Sequence, residues 1–390
     1  MHYQGDHYFV SVGVDGPTPG VDRSNLTDPY TLGGIYHLHF VDPAEPLFAR
    51  AAITGMPATL NFRPHGLFFD KDSNRLFVVS HNEQKKEENI VIFTVNEDDE
   101  AAVSKSASKL PSLVFQVALY SDQWTPVGSN MDNWHLNDLV ATDPEEEFLA
   151  TQWGPFDAAN LTTMKTLWSC ALGLSYESVP EDGRVPTTCQ PVEGVTSLGF
   201  NGITISNTWE TVWVSDLPGF QILELHKNKT NASTGNNWFQ TGSFPTPGLV
   251  DNFVYLDGAL HMAAPLKIFP QSPADYVGSY LIGTRTDDDE ETTFHVEPVF
   301  QLDPAFLAEL EFPFVTSAAY PVTVFGAVGY PGILICPKQP QQQSDGEATS
   351  EDTDVPTASS GSNNAQSSSS SSSLVDAVAS WILATAIALR

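Results

Sequence analysis

The chain has 390 residues, of which 41% are apolar, and its 23 Phe, 11 Tyr and 8 Trp are enough to build a large core. Its formal net charge of −31 excludes nucleic acid as a partner, because phosphate backbones are bound by clustered Lys and Arg. The three cysteines form no Cys-x-x-Cys pattern, so they provide no zinc site of their own.

Short apolar strands separated by Gly, Pro, Asn and Asp run from residue 8 to residue 337. The repeating unit is clearest at residues 65–95, where a strand, a tight turn at Lys71–Asn74, a second strand, a polar loop and a third strand follow one another. The same order recurs at residues 201–225, and a long insertion is expected at residues 168–195. Repeats of this size that contain only strands predict an all-β fold of propeller blades.

Polar residues stand where four of these strands begin. The four segments are Pro64-His65-Gly66, Leu136-Asn137-Asp138, Phe200-Asn201-Gly202 and Val250-Asp251-Asn252. In a radial array of blades their side chains would point at one centre, and Asn and Asp oxygens suit a hard cation such as calcium. Taken singly, Asn or Asp at a strand end is more typical of a turn, so that alternative stays open.

Cysteine positions and glycosylation sequons bear on the compartment. Cys170 and Cys189 flank the expected insertion and are candidates to pair with each other. The Asn-x-Ser/Thr sequons are typical of a secreted glycoprotein, and they occur at Asn25, Asn160, Asn228 and Asn231. The N-terminal residues show neither the charged nor the apolar region of a signal peptide.

The composition changes abruptly after Cys336. Residues 338–373 are rich in Ser and Gln and are predicted to be a disordered linker, because they have too few apolar side chains to bury a core. Residues 374–390 form a hydrophobic tail that is too short to span a membrane comfortably. Small residues at 361–364, a polar spacer and this tail fit a glycolipid-anchor signal, which predicts membrane attachment. A frayed tail or an error in the gene model is the alternative.

The four polar segments, in this order, resemble the serum paraoxonase/arylesterase family. Asn61-Phe-Arg-Pro-His-Gly is similar to that family's Phe-Asn-Pro-His-Gly, and Leu136-Asn-Asp-Leu-Val-Ala is similar to its Val-Asn-Asp-Ile-Val-Ala. Leu249-Val-Asp-Asn matches its Leu-Val-Asp-Asn. The resemblance covers residues 8 to 337, and four segments in register are more specific for the family than for an activity.

The resemblance implies a six-bladed β-propeller with two calcium ions in its central channel. The residues that match the family's ligands of the catalytic calcium are Asn137, Asn201, Asp251 and Asn252. Those that match ligands of a buried structural calcium are Asp138 and the backbone carbonyl of Leu67. His65 and His81 match the family's histidine pair, in which one is proposed as the general base and the other supports it.

The implied activity is calcium-dependent hydrolysis of small-molecule aryl esters or lactones, outside the cell or at its surface. Neutral Asn ligands leave positive charge on calcium, which can polarise an ester carbonyl. A histidine with a pKa near 6.5 can take a proton from water at neutral pH. Two alternatives remain open: a non-catalytic binding or adhesion module, and a propeller of the gluconolactonase or strictosidine-synthase type.

The chain departs from the family near its N-terminus. The family has a Glu-Asp pair upstream of the first strand, whereas this chain has no Glu before residue 45 and only Asp6 near that place. The family also joins an N-terminal cysteine to one in the last strand; Cys336 fits the second position, but no cysteine precedes Cys170. These departures lead us to expect that Met1 is an internal methionine and that the first blade is incomplete, and the alternative is that the protein has degenerated into a non-enzyme.

Overall fold

The computed structural model describes the larger part of the chain up to residue 336. The described ranges are residues 2–4, 7–12, 34–39, 47–60, 62–82, 87–96, 111–124, 136–143, 147–153, 164–172, 179–228, 237–265, 278–288, 291–301, 317–319, 323–326 and 333–336. The chain divides into two units, Met1–Pro337 and Lys338–Arg390, and every described residue belongs to the first.

The described residues form 25 strands in six sheets. The first sheet contains β1 (His2–Gln4), β2 (His7–Val12), β3 (Gly34–His39) and β4 (Leu47–Arg50). The second contains β5 (Ala52–Thr54), β6 (Pro64–Asp70), β7 (Arg75–Asn82), β8 (Glu87–Asn96) and β9 (Ser112–Tyr120). The third begins with β10 (Leu136–Asp143), β11 (Glu147–Gln152) and β12 (Lys165–Ala171). Next, β13 (Arg184–Pro186) joins the second sheet, and β14 (Cys189–Ser197) completes the third.

The remaining three sheets follow in chain order. The fourth contains β15 (Phe200–Ile205), β16 (Thr211–Asp216), β17 (Gln221–Lys227) and β18 (Trp238–Pro245). The fifth contains β19 (Phe253–Leu256), β20 (Ala259–Pro265), β21 (Gly278–Asp288) and β22 (Glu291–Gln301). The sixth contains β23 (Ser317–Ala319), β24 (Thr323–Gly326) and β25 (Ile333–Cys336).

The sheets are arranged as propeller blades. In the second sheet, β5 pairs parallel with β9, and the strands from β6 to β9 pair antiparallel in chain order. Neighbouring sheets meet through contacts of β6 with β10, of β10 with β15, of β15 with β19 and of β19 with β23. These contacting strands are therefore the inner strands. The prediction of an all-β propeller is confirmed in the described residues.

The number of blades differs from the prediction. Among the described residues, five sheets have at least the four strands of a blade, and the sixth sheet has three, so the structure shows five blades rather than six. The first blade, expected to be incomplete, has four strands because β1 pairs antiparallel with β2. The expectation of an incomplete first blade is therefore wrong.

The central strands of the second blade are apolar on both faces because the blade packs between two others. In β7, Phe77 and Val79 belong to one core cluster with residues of the third and fourth blades, whereas Leu76 and Val78 belong to another with residues of the first blade. Each large apolar side chain buried in this way contributes about 1.5–3 kcal/mol to stability. This packing holds the inner strands side by side.

The turn predicted at Lys71–Asn74 connects β6 and β7. The Asp70 carboxylate accepts hydrogen bonds from the backbone N–H groups of Asp72 at 3.2 Å and Ser73 at 3.1 Å. Asn74 has a φ of 52°, which Asn tolerates better than most residues. The prediction of a hairpin loop at this place is confirmed.

The insertion predicted at residues 168–195 contains strands rather than only a loop. Cys170 of β12 and Cys189 of β14 are direct cross-strand partners, and they form a disulfide with 4.1 Å between their Cα atoms. The predicted pairing is confirmed. Between them, β13 pairs parallel with β9 of the preceding blade, so the insertion links two blades.

The predictions for the chain termini and most sequons lie outside the described residues. The predictions outside the described residues are those for Asn25, Asn160 and Asn231 and for every residue beyond Cys336. The side chain of Cys336 is not described either. None of the described residues belongs to a helix that could cross a lipid bilayer.

Candidate functional site

The same irregularity occurs at the beginning of the inner strand in three consecutive blades. Pro64 pairs with Ser80, and Leu67 pairs with Val78, so between these two pairs β6 contains one more residue than its partner strand β7. The pairs Leu136–Gln152 and Leu139–Ala150 do the same in the third blade, as do Phe200–Asp216 and Ile203–Val214 in the fourth. Each is a β-bulge, which redirects side chains from the regular alternation of the strand.

The bulges contain the polar residues that the sequence singled out. His65 and Gly66 lie in the first bulge, Asn137 and Asp138 in the second, and Asn201 and Gly202 in the third. In the fifth blade, Asp251 and Asn252 precede β19. The Asp251 N–H donates to the Ala263 carbonyl at 3.2 Å, and the Ala263 N–H donates to the Asn252 carbonyl at 3.3 Å.

Two glycines allow the inner strands of neighbouring blades to approach at these bulges. A Cβ atom on Gly66 would lie 2.3 Å from the carbonyl oxygen of Asn137, and one on Gly202 would lie 2.5 Å from that of Asp251. The Gly202 N–H donates to this Asp251 carbonyl at 2.9 Å. The segment carrying His65 therefore lies against Asn137-Asp138, and the segment carrying Asn201 lies against Asp251-Asn252.

Side-chain contacts continue across the blades. Asn137 Nδ2 lies 3.2 Å from His65 Nε2, so the amide N–H donates to the imidazole. Thr151 connects the third and fourth blades: its hydroxyl accepts from the Asp138 N–H at 3.0 Å and donates to the Asn201 carbonyl at 2.7 Å. The hydroxyl is completely buried, so these bonds fix the spacing of Asp138 and Asn201.

Two carboxyl groups of the site have raised pKa values. Burial raises the pKa of Asp138 to about 6, although the N–H of Leu139 donates to its carboxylate at 2.9 Å. Part of the Asp251 side chain remains accessible, yet burial is the main cause that raises its pKa to about 7, and the negative charge of Asp138 adds to it. Two carboxylates in such surroundings favour a bound cation.

Asn201 provides an independent sign of a cation. Its side chain hydrogen-bonds to Asp251, and it is almost completely buried. Its Oδ1 atom has no hydrogen-bond partner among the described residues. Since buried polar atoms are normally paired, this oxygen fits a ligand of a metal ion.

The two predicted histidines lie together. The ring centroids of His65 and His81 are 5.1 Å apart, with the ring planes tilted by 57°. His65 is partly accessible, whereas His81 is buried. Burial, and then the proximity of His81, lower the pKa of His65 to about 3. The expectation that His65 titrates near neutral pH is therefore wrong, because its environment disfavours the charged imidazolium.

The structure thus brings most of the predicted site residues together through pairwise contacts. His81, His65 and Asn137 form one series of contacts, and Asp138, Thr151, Asn201 and Asp251 form another. Asn252 lies beside Gly202, with its Oδ1 3.2 Å from where a Cβ would be. Leu67 is the buried residue that follows the first bulge and pairs with Val78.

In the part of the chain that the structure describes, no three His, Cys, Asp or Glu side chains are grouped so that they could hold a metal ion by themselves. A cation at this site would therefore depend on amide oxygens as well as on Asp138 and Asp251. Mixed carboxylate and amide oxygens are ligands that calcium prefers, so the residues present fit this ion.

Two residues of the site were missed from the sequence. Glu88 lies within Lys85-Lys86-Glu87-Glu88-Asn89, which has the composition of a solvated loop. Only the pairing of β7 with β8 shows that it is the direct partner of His81. Thr151 lies in an ordinary strand sequence, and its role depends on contacts across two blades. Alternation along β8 could have indicated a buried Glu88, since Ile90 and Ile92 lie on the same face.

Comparison with known proteins gives distant structural similarity only. No protein-family model matches the sequence, and no curated protein matches it. A periplasmic gluconolactonase of Pseudomonas aeruginosa is 13% identical, with a TM-score of 0.43, over 86% of this chain and 79% of that one. A gluconolactonase of Xanthomonas campestris is 14% identical, with a TM-score of 0.36, over 77% of this chain and 78% of that one.

An aldose sugar dehydrogenase of Streptomyces coelicolor, solved in its PQQ-bound form, is 10% identical, with a TM-score of 0.38, over 76% of this chain and 83% of that one. Two of these three proteins are gluconolactonases and the third is a dehydrogenase, so they catalyse different reactions. At such identities and TM-scores the similarities carry no argument about activity, and the propeller fold rests on the sheets described above.

Proposed function

We propose that this protein is a calcium-dependent hydrolase of lactones and aryl esters. The observation that carries the proposal is the series of bulges in consecutive blades, which brings a partly accessible histidine beside amide and carboxylate oxygens. β-Bulges are over-represented next to active sites because they redirect side chains. The sequence resemblance to the paraoxonase/arylesterase family supports the same conclusion.

The proposed ligands of the catalytic calcium are Asn137, Asn201, Asp251 and Asn252, and those of a second calcium are Asp138 and the carbonyl of Leu67. The unpaired Asn201 oxygen and the raised pKa values of both Asp residues support this assignment. Calcium bound there would supply positive charge that polarises the substrate carbonyl and stabilises the developing oxyanion.

His65 is the proposed general base. Burial lowers the pKa of His65 to about 3, so the imidazole is neutral at neutral pH and keeps one unprotonated nitrogen that can accept a proton, although this pKa makes it a weaker base than an ordinary histidine. The Asn137 amide orients the ring by donating to Nε2, and the attacking water must take the place of this amide, because the other ring nitrogen already carries a proton in the neutral ring. In the reaction, the water oxygen bonds to the carbonyl carbon, His65 takes the water proton, and that proton passes to the leaving oxygen as the ester bond breaks.

We also propose that the protein works outside the cytosol. The Cys170–Cys189 disulfide supports this location, because structural disulfides persist mainly in oxidising compartments. The lipid anchor predicted from the C-terminal tail remains a prediction.

The test measures hydrolysis of phenyl acetate and of a δ-lactone by the purified full chain, with added calcium and after treatment with EDTA. We expect turnover of at least one substrate that is lost with EDTA and restored by calcium, together with bound calcium in the elemental analysis. Calcium binding without turnover of either substrate would favour the binding-module alternative. Turnover of lactones that is indifferent to EDTA would exclude the calcium-dependent mechanism.

A further inference from the structure

Glu88 is a buried carboxylate beside the histidine pair, and the mechanism above does not use it. His81 and Glu88 are direct cross-strand partners in the antiparallel pairing of β7 with β8, so their side chains lie on the same face of the sheet. His81 Nδ1 and Glu88 Oε2 are 2.7 Å apart, the short distance of a charge-assisted hydrogen bond. Glu88 is 0% exposed and His81 is 2% exposed.

This hydrogen bond determines which nitrogen of His81 carries a proton. A carboxylate can only accept, so Nδ1–H donates to it, and in the neutral ring Nε2 is then the basic nitrogen. The His81 ring packs against His65, with 5.1 Å between centroids, and His65 Nε2 contacts the Asn137 amide. Glu88, His81 and His65 therefore form a continuous series from the interior of the blade to the site.

Stability alone does not account for a carboxylate at this position. The neighbours of Glu88 on the same face of β8 are Ile90 and Ile92, both completely buried. The second carboxylate oxygen, Oε1, has no hydrogen-bond partner among the described residues. Burying a charged group with so few bonds is costly, and apolar side chains in place of such a pair are often as stable or more stable.

We propose that Glu88 is a positioning residue of the site, which holds His81 in the tautomer and orientation that support His65. This inference rests on the proposed hydrolysis. When His65 takes the proton of the attacking water, the Glu88–His81 pair stabilises the positive charge on the histidines. The proton leaves again with the alcohol or phenol oxygen, so the pair is unchanged after each turnover.

The kinetic test compares Glu88→Gln, which keeps the size of the side chain and removes its charge, with Glu88→Asp, which keeps the charge. Glu224→Gln is the matched control, since Glu224 lies 3.1 Å from His226 in β17 of the fourth blade and outside the inner-strand bulges that carry the site residues. In the full chain with calcium, we expect Glu88→Gln to lower kcat for phenyl acetate about 10²-fold, with KM and the calcium midpoint within about threefold of wild type.

Glu88→Asp should recover at least part of the lost kcat, and Glu224→Gln should retain the wild-type rate. A Glu88→Gln variant with more than half of the wild-type kcat would overturn the proposal. A loss of rate that accompanies equal losses of folding and calcium binding, and that Glu88→Asp does not rescue, would show a structural role and overturn it as well.

A spectroscopic measurement separates this inference from the proposed function. In the full chain labelled with ¹⁵N-histidine, the Nδ1 proton of His81 should resonate far downfield, be absent in His81→Gln, and shift in Glu88→Gln. Its absence in the wild-type protein would overturn the pairing whether or not the protein hydrolyses esters. If the downfield His81 signal is present but the protein turns over no ester or lactone, the proposed hydrolase function is refuted. The positioning role of Glu88 is then refuted with it.

Discussion

Single residues carry the chemistry of this site, and His65 and Asn137 show how. They belong to neighbouring blades, yet the Asn137 amide nitrogen lies 3.2 Å from His65 Nε2. The amide therefore presents its nitrogen to the histidine, which leaves its oxygen for another ligand. One Asn could in this way orient the proposed base and contribute to the proposed cation site.

Replacing His65 by Gln should separate basicity from metal binding. Gln keeps the polarity of the side chain but cannot take a proton, so kcat should fall by about 10²–10⁴-fold with the calcium midpoint nearly unchanged. Because burial lowers the pKa of His65 to about 3, the wild-type rate should show no titration of this group between pH 5 and pH 8. Full activity in the Gln variant would remove His65 from the mechanism, and His226→Gln serves as the control.

Replacing Asp251 by Asn should weaken calcium binding while sparing the metal-free fold. Burial raises the pKa of Asp251 to about 7, so a neutral amide removes a charge that the metal-free protein accommodates poorly. We expect the melting temperature in EDTA to be equal or higher, and the rise on adding calcium to be largely lost. Asp257→Asn is the matched control, since Asp257 lies in an exposed turn with a φ of 51°, where Asn is well tolerated. An unchanged calcium response in Asp251→Asn would exclude this residue as a ligand.

At the scale of elements, the repeated bulge is the feature that builds the site. The side chains of a regular inner strand would point alternately into the two interfaces with neighbouring blades. The buried apolar side chains on both faces of β7 show that these interfaces are apolar. One extra residue at the beginning of β6, β10 and β15 lets polar side chains leave this alternation without displacing the core. The site therefore depends on the inner strands lying close together.

Gly66→Ala should disturb this approach. The added Cβ would lie 2.3 Å from the Asn137 carbonyl oxygen, a backbone atom that cannot turn away, so the strands must separate. We expect the free energy of unfolding to fall by about 1–3 kcal/mol, with a loss of activity beyond the loss of folded protein. Gly242→Ala is the control, because its Cβ would meet no atom within 4 Å. The free energy of unfolding in urea and the rate of turnover are measured for both variants. A Gly66→Ala protein with the stability and activity of Gly242→Ala would contradict the described packing.

At the scale of the whole molecule, the site connects the second, third, fourth and fifth blades. The contacts of Gly66 with Asn137, of Thr151 with Asn201 and of Gly202 with Asp251 each join two neighbouring blades. An ion held by ligands from several blades would bind only the folded chain, so it should stabilise the whole propeller by mass action.

Calcium should raise the melting temperature, and by more at pH 8 than at pH 5. Without calcium, the pKa of Asp251 is raised from its ordinary value of 3.8 to about 7 by folding, so the folded state binds this proton more tightly. Its contribution to stability is complete below pH 4 and is lost as the pH rises through 7. Calcium offsets the resulting buried charge. At 100 times its Kd it adds about 2.7 kcal/mol. Thermal scans with calcium and with EDTA at both pH values test this, and equal shifts would contradict it.

Local sequence determined the strands and their turns. Apolar runs bounded by Gly, Asn and Asp marked the second and fourth blades, and Asp70 closes the turn at Lys71–Asn74 through bonds to residues two and three positions on. The same local pattern marked His65, Asn137, Asn201 and Asp251, because all four stand where an inner strand begins. These features depend on neighbours in the chain, so they could be predicted.

Tertiary structure alone decided how these residues meet and what they experience. The pairing of β7 with β8 placed Glu88 opposite His81, and packing of neighbouring blades placed Thr151 against Asn201. Burial, which no local pattern measures, lowered the pKa of His65 and raised that of Asp251. The number of complete blades also followed from strand pairing, since β1 completes the first sheet by bonding to β2. Pairing partners and burial arise from residues far apart in the chain, and for that reason the sequence could name the side chains of the site but not their geometry.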